Sequence, residues 1–144
     1  HLYGHSFPTR RSSDLYNYSI ASSPSRTIAG LRSFQQKVIL IAGGYDKHIP
    51  YDVLGPEICR HVKRLIVTGA TGEKIRQAVL AAPEYREGQP EILSITEFDQ
   101  AVLEAARGAE PGDVVLLSPA SAAFDRFRNF MVRGQHFKEL VRSL

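Results

Sequence analysis

With 144 residues, 43% of them apolar, the chain is long enough for one domain with a sizeable core, and no apolar run approaches the roughly 20 residues of a membrane span. A single cysteine, Cys59, excludes an internal disulfide or a cysteine cluster for zinc, and fits a reducing cytoplasm. Of the net +3, Arg10, Arg11 and Asp14 contribute +1, so only +2 belongs to the remainder, scattered without a basic stripe, which argues against nucleic acid as a partner.

Residues 1–15 have neither helical nor strand period, and they lack a signal peptide's order of charge, apolar run and small residues. From His5 to Leu15 they resemble the translation of a common short-read sequencing adapter, so the segment is expected to be foreign and disordered, with no metal role for His1 or His5. On that expectation the native sequence resumes at Tyr16 and a larger upstream portion is missing. Residues 16–34 lead into the domain. They comprise an extended polar segment and a helix with Ser23 as N-cap, Pro24 at the first helical position, and Ile28, Ala29 and Leu31 on the apolar side.

The domain proper is expected over 35–144. Residues 37–42 read as a buried strand, broken by Gly43-Gly44 into a loop that carries Tyr45, Asp46, Lys47 and His48. A helix over about 52–61 is expected to bury Val53, Leu54 and Ile58, followed by a strand over 64–68. Thr71 caps a helix to about Ala82 with Ile75, Val79 and Leu80 inward, and Pro83 ends it. A strand over 91–95 follows, then a helix to Arg107 opened by Thr96 and Asp99 as a capping box and burying Phe98, Val102 and Leu103. After the Pro111-Gly112 turn, Val114, Val115, Leu116 and Leu117 form an uninterrupted apolar run, as in a strand buried on both faces, and a last helix over 129–142 buries Phe137, Leu140 and Val141. Strands alternating with helices across short loops indicate right-handed crossovers and an α/β fold, a mainly parallel sheet with helices on both faces.

Ligands of such sheets sit beyond the carboxyl ends of the strands, which singles out the loops 43–50 and 118–130. In the second, Ala120, Ser121, Ala122 and Ala123 permit close backbone approach, and Phe124, Phe127 and Phe130 recur at spacing three. Spacing alone favours a helix start whose phenylalanines are core. Backbone N–H groups at Phe124 and Phe130 would suit a carboxylate or phosphate, with Arg126 and Arg128 nearby and Lys47 as a point charge from the first loop. The plainer readings are a solvated loop lysine for Lys47 and a cap or an ion pair with Arg128 for Asp125. His48, His61 and His136 share no metal-ligand spacing and suit surface or capping roles. Ser118 and Ser121 lack the elbow of a hydrolase nucleophile. Gly69-Ala70-Thr71-Gly72 lacks the lysine of a phosphate-binding loop, so it reads as a turn and an N-cap.

The run Leu-Leu-Ser-Pro-Ala-Ser-Ala-Ala-Phe-Asp-Arg-Phe-Arg-Asn-Phe ending at Phe130, followed by Arg133-Gly134, resembles the C-terminal signature of the D-glutamate-adding branch of the Mur ligases of peptidoglycan synthesis. Asn17 to Gly30 and Ile41 to Lys47 extend the resemblance, which spans Tyr16 to Leu144. It implies the Rossmann-like C-terminal domain of a three-domain, cytoplasmic, ATP-dependent ligase that adds D-glutamate to UDP-N-acetylmuramoyl-L-alanine through an acyl phosphate. ATP and Mg2+ would be bound mainly by a central domain outside this chain, and the fragment alone would be inactive. By position, the resemblance assigns D-glutamate binding to Lys47, Ser22, Ala123, Phe124 and Phe130, and proximity to the nucleotide to Asn17, Tyr18 and Ser19. Tyr18 stands where the family usually has Asp, and Ala123 where it often has Ser, so recognition at 123 must use backbone N–H. The alternative is a stand-alone Rossmann-like module that binds a small anion without catalysis.

Overall fold

The computed structural model describes residues 13–123 and 126–144, together with the backbone of 6–8. Six strands, β1 (Ser6–Pro8), β2 (Asp14–Asn17), β3 (Val38–Ala42), β4 (Val62–Val67), β5 (Glu91–Ser94) and β6 (Val114–Leu117), form one sheet in the order β1-β2-β6-β3-β4-β5. All neighbours pair in parallel except β1 with β2. Five helices alternate with the strands: α1 (Pro24–Arg32), α2 (Leu54–His61), α3 (Gly72–Ala81), α4 (Phe98–Arg107) and α5 (Phe130–Arg142). The expected α/β class and mainly parallel sheet are what the backbone shows.

Strand periodicity divides the core into two layers. On β3, Val38, Leu40 and Ala42 point to one face, where Leu31 of α1, Leu54 and Ile58 of α2, and Ile75 and Val79 of α3 cover them. Ile39 and Ile41 point to the other, against Phe98, Ala101 and Val102 of α4 and Phe137 and Val141 of α5. All four residues of β6 are buried for the same reason, Leu116 facing the first layer and Val115 and Leu117 the second. Helices therefore cover both faces of the sheet. The pairing of β3 with β4 slips between Val38 and Ile39, leaving Lys63 out of the ladder, and its ammonium pairs with Asp113 at the start of β6.

Several local expectations are corrected. The extended polar segment before α1 begins as a strand: β2 pairs in parallel with β6 from Asp14 to Asn17, so it crosses the boundary drawn at Tyr16, and Leu15 is buried in the second layer. Its polar ends hid it from periodicity, because what defines it is the partner strand about 100 residues away. Val53 is 64% exposed, since α2 starts two residues later than expected, at Leu54, and Val53 occupies the N-cap position instead of the inward face. Ala29 is likewise exposed, while Leu31 and, half-buried, Ile28 pack on the first layer as expected, beside buried Pro24, Thr27 and Gly30. Glu97, not Thr96, precedes α4, and no side chain caps that helix; Asp99 is drawn off to Arg126 (2.9 Å) and His136 (2.7 Å). Ser23 and Thr71 do stand at N-cap positions, but neither makes a side-chain cap bond.

Candidate functional site

Because β2, β6 and β3 are neighbours running the same way, the segments after their carboxyl ends lie side by side. Backbone bonds stitch them together. The Ser118 N–H donates to Ile41 (3.1 Å), Gly43 to Pro119 (2.8 Å) and Tyr45 to Ala122 (2.8 Å), joining the β3 and β6 loops. On the other side Tyr18 donates to Leu117 (2.7 Å) and Ala120 to Ala21 (2.9 Å). The two loops singled out in the sequence are thus joined by a third segment, 18–22, which β2 delivers.

The glycine pair at the head of the β3 loop has a steric cause. Gly43 has φ +120°, and a Cβ there would lie 1.8 Å from the Thr68 carbonyl oxygen. A Cβ on Gly44 would lie 2.6 Å from the Ala122 carbonyl oxygen and 3.3 Å from Nη1 of Arg133. Any side chain at either position would force the loops apart.

Beneath the backbone stitches runs a buried chain of hydroxyls. The Gly44 N–H donates to Thr71 Oγ1 (2.9 Å), Thr71 Oγ1 and Ser121 Oγ are 2.7 Å apart, and Ser121 Oγ is 2.8 Å from the Tyr51 phenol oxygen. This explains why Thr71 leaves its helix uncapped: its hydroxyl is committed to the loop crossing. Arg133, 2% exposed, closes the crossing from α5. Its Nε donates to Ser19 Oγ (2.9 Å), Nη2 to the Ser19 carbonyl (2.7 Å), Nη1 to the Ser121 carbonyl (2.9 Å), and Nη2 also reaches Ser22 Oγ at 3.5 Å.

Of the residues singled out for D-glutamate, Ser22 is half-buried beside Arg133, Lys47 is exposed on the β3 loop, and Ala123 is buried. The Ala123 carbonyl accepts from the N–H groups of Arg126 (3.2 Å) and Phe127 (2.8 Å). Phe130 is 37% exposed at the first position of α5, and its carbonyl accepts from Ser19 Oγ (2.7 Å). Phe124 lies outside the described residues, as does Asp125. Of the three placed near a nucleotide, Asn17 and Ser19 line a groove of about 350 Å³ together with Ile20, Phe130, Met131 and Lys138. Asn17 Oδ1 accepts from the Ser19 N–H (3.0 Å), which fixes the turn. Tyr18 instead turns inward to the first core layer, its ring 3.5 Å from where a Cβ on Gly30 would stand. A second cavity, about 310 Å³, is lined by Gly43, Gly44, Gly69, Glu97, Arg126 and Arg133 among others.

The β3 loop is steadied electrostatically. Asp46 accepts from Lys74 (2.6 Å) and from the His48 N–H (2.7 Å), which hold its carboxyl below the usual range, the lysine most of all. Among the described residues no group of three or more His, Cys, Asp or Glu is placed to hold a metal ion.

Arg133 is the residue that periodicity and spacing did not single out. A signal was available: a cation in the first turn of a helix opposes the helix dipole, so an arginine there asks for a specific acceptor set.

A family described as Mur ligase, glutamate ligase domain, matches residues 9–121. The chain belongs to the Mur ligase family. It is 57% identical over 132 residues to the UDP-N-acetylmuramoylalanine--D-glutamate ligase of Acetivibrio thermocellus, covering 90% of this chain and 28% of that protein. It is 50% identical over 129 residues to the enzyme of the same name from Clostridium novyi, with the same coverage. This Mur ligase chain thus spans a little over a quarter of the length of the curated relatives it matches. Among solved structures, a murein peptide ligase from Psychrobacter arcticus superposes with TM-score 0.59 at 13% identity, over 93% of this chain and 28% of that one. A UDP-N-acetylmuramoyl-L-alanyl-D-glutamate--2,6-diaminopimelate ligase superposes with TM-score 0.60 at 11% identity, over 97% and 31%. At such identities the structural likeness speaks for the Mur ligase fold alone.

Proposed function

We propose that this chain is the amino-acid-binding domain, residues 35–144 with 16–34 leading into it, of a longer ATP-dependent ligase that joins D-glutamate to UDP-N-acetylmuramoyl-L-alanine in peptidoglycan synthesis. The observation that carries the proposal is the meeting of segments 18–22, 43–50 and 118–130 at adjacent strand ends, in a chain 57% identical to a ligase of that name. D-glutamate is a dicarboxylate and needs a cation and N–H or O–H donors at fixed separation. Lys47 supplies the ammonium and Ser22 a hydroxyl for one carboxylate, and the backbone at Ala123, Phe124 and Phe130 serves the other. Asn17 and Ser19 lie toward the nucleotide, while the Tyr18 side chain turns into the core.

In this reading the muramoyl-peptide carboxylate becomes an acyl phosphate in the remainder of the protein. The amine held here attacks it, an amide bond forms, and phosphate and a proton leave. This domain orients the nucleophile and positions it when it closes on the rest of the enzyme. The proposal places the protein in the cytoplasm, and no described helix is long and apolar enough to cross a membrane.

The test is Lys47→Ala in the complete gene product. Loss of a charge-assisted hydrogen bond worth about 1.5–3 kcal/mol should raise the D-glutamate KM by roughly 10- to 100-fold, with the ATP KM unaltered. An unchanged D-glutamate KM would remove Lys47 from the site.

A further inference from the structure

We infer that Arg133 is the positioning residue of the amino-acid site, a buried clamp that sets the distance between the Ser22 segment and the β6 loop without touching the ligand. The inference rests on the D-glutamate reading for the identity of the ligand, and on the geometry alone for the clamp.

One guanidinium bonds both walls. Nε and Nη2 hold the hydroxyl and carbonyl of Ser19, Nη1 holds the carbonyl of Ser121, and Nη2 reaches the Ser22 hydroxyl. Ser19 and Ser121 both follow parallel strands, β2 and β6, and each lies within three residues of a position proposed to bind a carboxylate. The fork is planar and rigid, so the separation of the two carbonyls is set by its own dimensions. The third wall packs against it as well: a Cβ on Gly44 would stand 2.6 Å from the Ala122 carbonyl oxygen and in tight contact with Nη1 at 3.3 Å, and the Gly44 N–H is tied through Thr71 and Ser121 hydroxyls to the same residue whose carbonyl Arg133 holds.

A lysine could replace the charge, but a single ammonium cannot span both carbonyls in the fork's geometry. The Arg133→Lys substitution therefore separates position from charge. It should loosen the crossing, seen as amide exchange at least tenfold faster at Tyr45 and Ala120, whose N–H groups bridge the segments, with unchanged exchange at Ile66 and Val67 in the sheet. In the complete enzyme it should raise the D-glutamate KM at least tenfold while the ATP KM stays within twofold, and Ser22→Ala should add less to Arg133→Lys than it costs alone.

Should Arg133→Lys fail to fold, Ser19→Ala removes the Nε acceptor together with the bond to the Phe130 carbonyl, leaves the Nη bonds, and should move amide exchange at Tyr45 and Ala120 and the D-glutamate KM in the same direction by less. Exchange that rises equally throughout the chain, or does not change, overturns the clamp. Freed bridging amides with an unaltered D-glutamate KM overturn its role in the amino-acid site. If the unsubstituted enzyme makes no use of D-glutamate, the ligase reading fails on that result alone, and exchange at Tyr45 and Ala120 still decides the clamp.

Discussion

Glu57 on α2 is buried, with Arg32 at 2.8 Å, Arg60 at 2.5 Å and His61 at 3.7 Å from its oxygens. The bond from Arg32 contributes most to holding its carboxyl below the ordinary value of 4.5, while burial works against it. A carboxylate whose folded value is depressed stabilises the fold fully above its unfolded value, and that stabilisation is lost as the pH falls from about 4.5 through the lowered folded value. Glu57→Gln should therefore cost about 1 kcal/mol near neutrality, its partners being half-exposed, and the deficit should shrink on acidification; urea unfolding at pH 7 and at pH 3.5 would show it. Neither Glu57 nor Arg133 was legible as buried, because a lone charged residue carries no periodic signal and its partners come from other elements. Lys47 was legible as a loop cation because the glycine pair before it marks the loop. Burial pushes the Cys59 thiol up, and the residue packs in the first core layer, in keeping with a residue that no chemistry was assigned to.

Among the elements, α5 shows how a local signal and a distant one share a helix. Asn129 has extended backbone, and its side chain accepts from the Val132 N–H (2.9 Å), so the N-cap is complete within four residues of sequence. Asn129→Ala should lower stability by about 1 kcal/mol in urea unfolding, without altering the D-glutamate KM, since the α5 start is also pinned by the Ser19 hydroxyl on the Phe130 carbonyl. The helices and the apolar strands were readable to within about two residues, α1 from Pro24 and β6 from its four apolar residues being the clearest. β2 was not, since Asp14 and Asn17 interrupt any alternation and only pairing with β6 makes it a strand. Thr71 and Asp99 have the right chemistry for caps and spend it elsewhere, on Ser121 and on Arg126 with His136.

For the whole molecule, the strand order places β6 between β2 and β3, so the last strand in sequence completes the site begun by the first two parallel strands. Nothing in the 144 residues matches a Gly-Lys-Ser or Gly-Lys-Thr phosphate loop, and the described residues offer no metal cluster. This chain by itself should release no phosphate from ATP above a no-protein control, in the presence of magnesium, D-glutamate and the muramoyl-alanine substrate, and turnover by the purified chain would refute the proposed division of labour. The exposed apolar residues Ile20, Phe130 and Met131, the last 65% exposed, border the Asn17 and Ser19 groove on the face that carries the proposed nucleotide-proximal segment.

By itself the sequence determined the α/β class, the two-layered burial of its apolar strands, the two loops that follow β3 and β6, and, through the signature ending at Arg133-Gly134, the family. Those properties are local: they follow from periodicity, turn residues and a contiguous motif. Only the tertiary structure decided that β2 joins the sheet, that segment 18–22 forms the third wall, and that Arg133 and the Thr71-Ser121-Tyr51 hydroxyls tie the walls together. These are contacts between residues far apart in the chain, and no spacing along a sequence encodes a hydrogen bond whose two ends are more than 100 residues apart, as in the bond from Arg133 to Ser19.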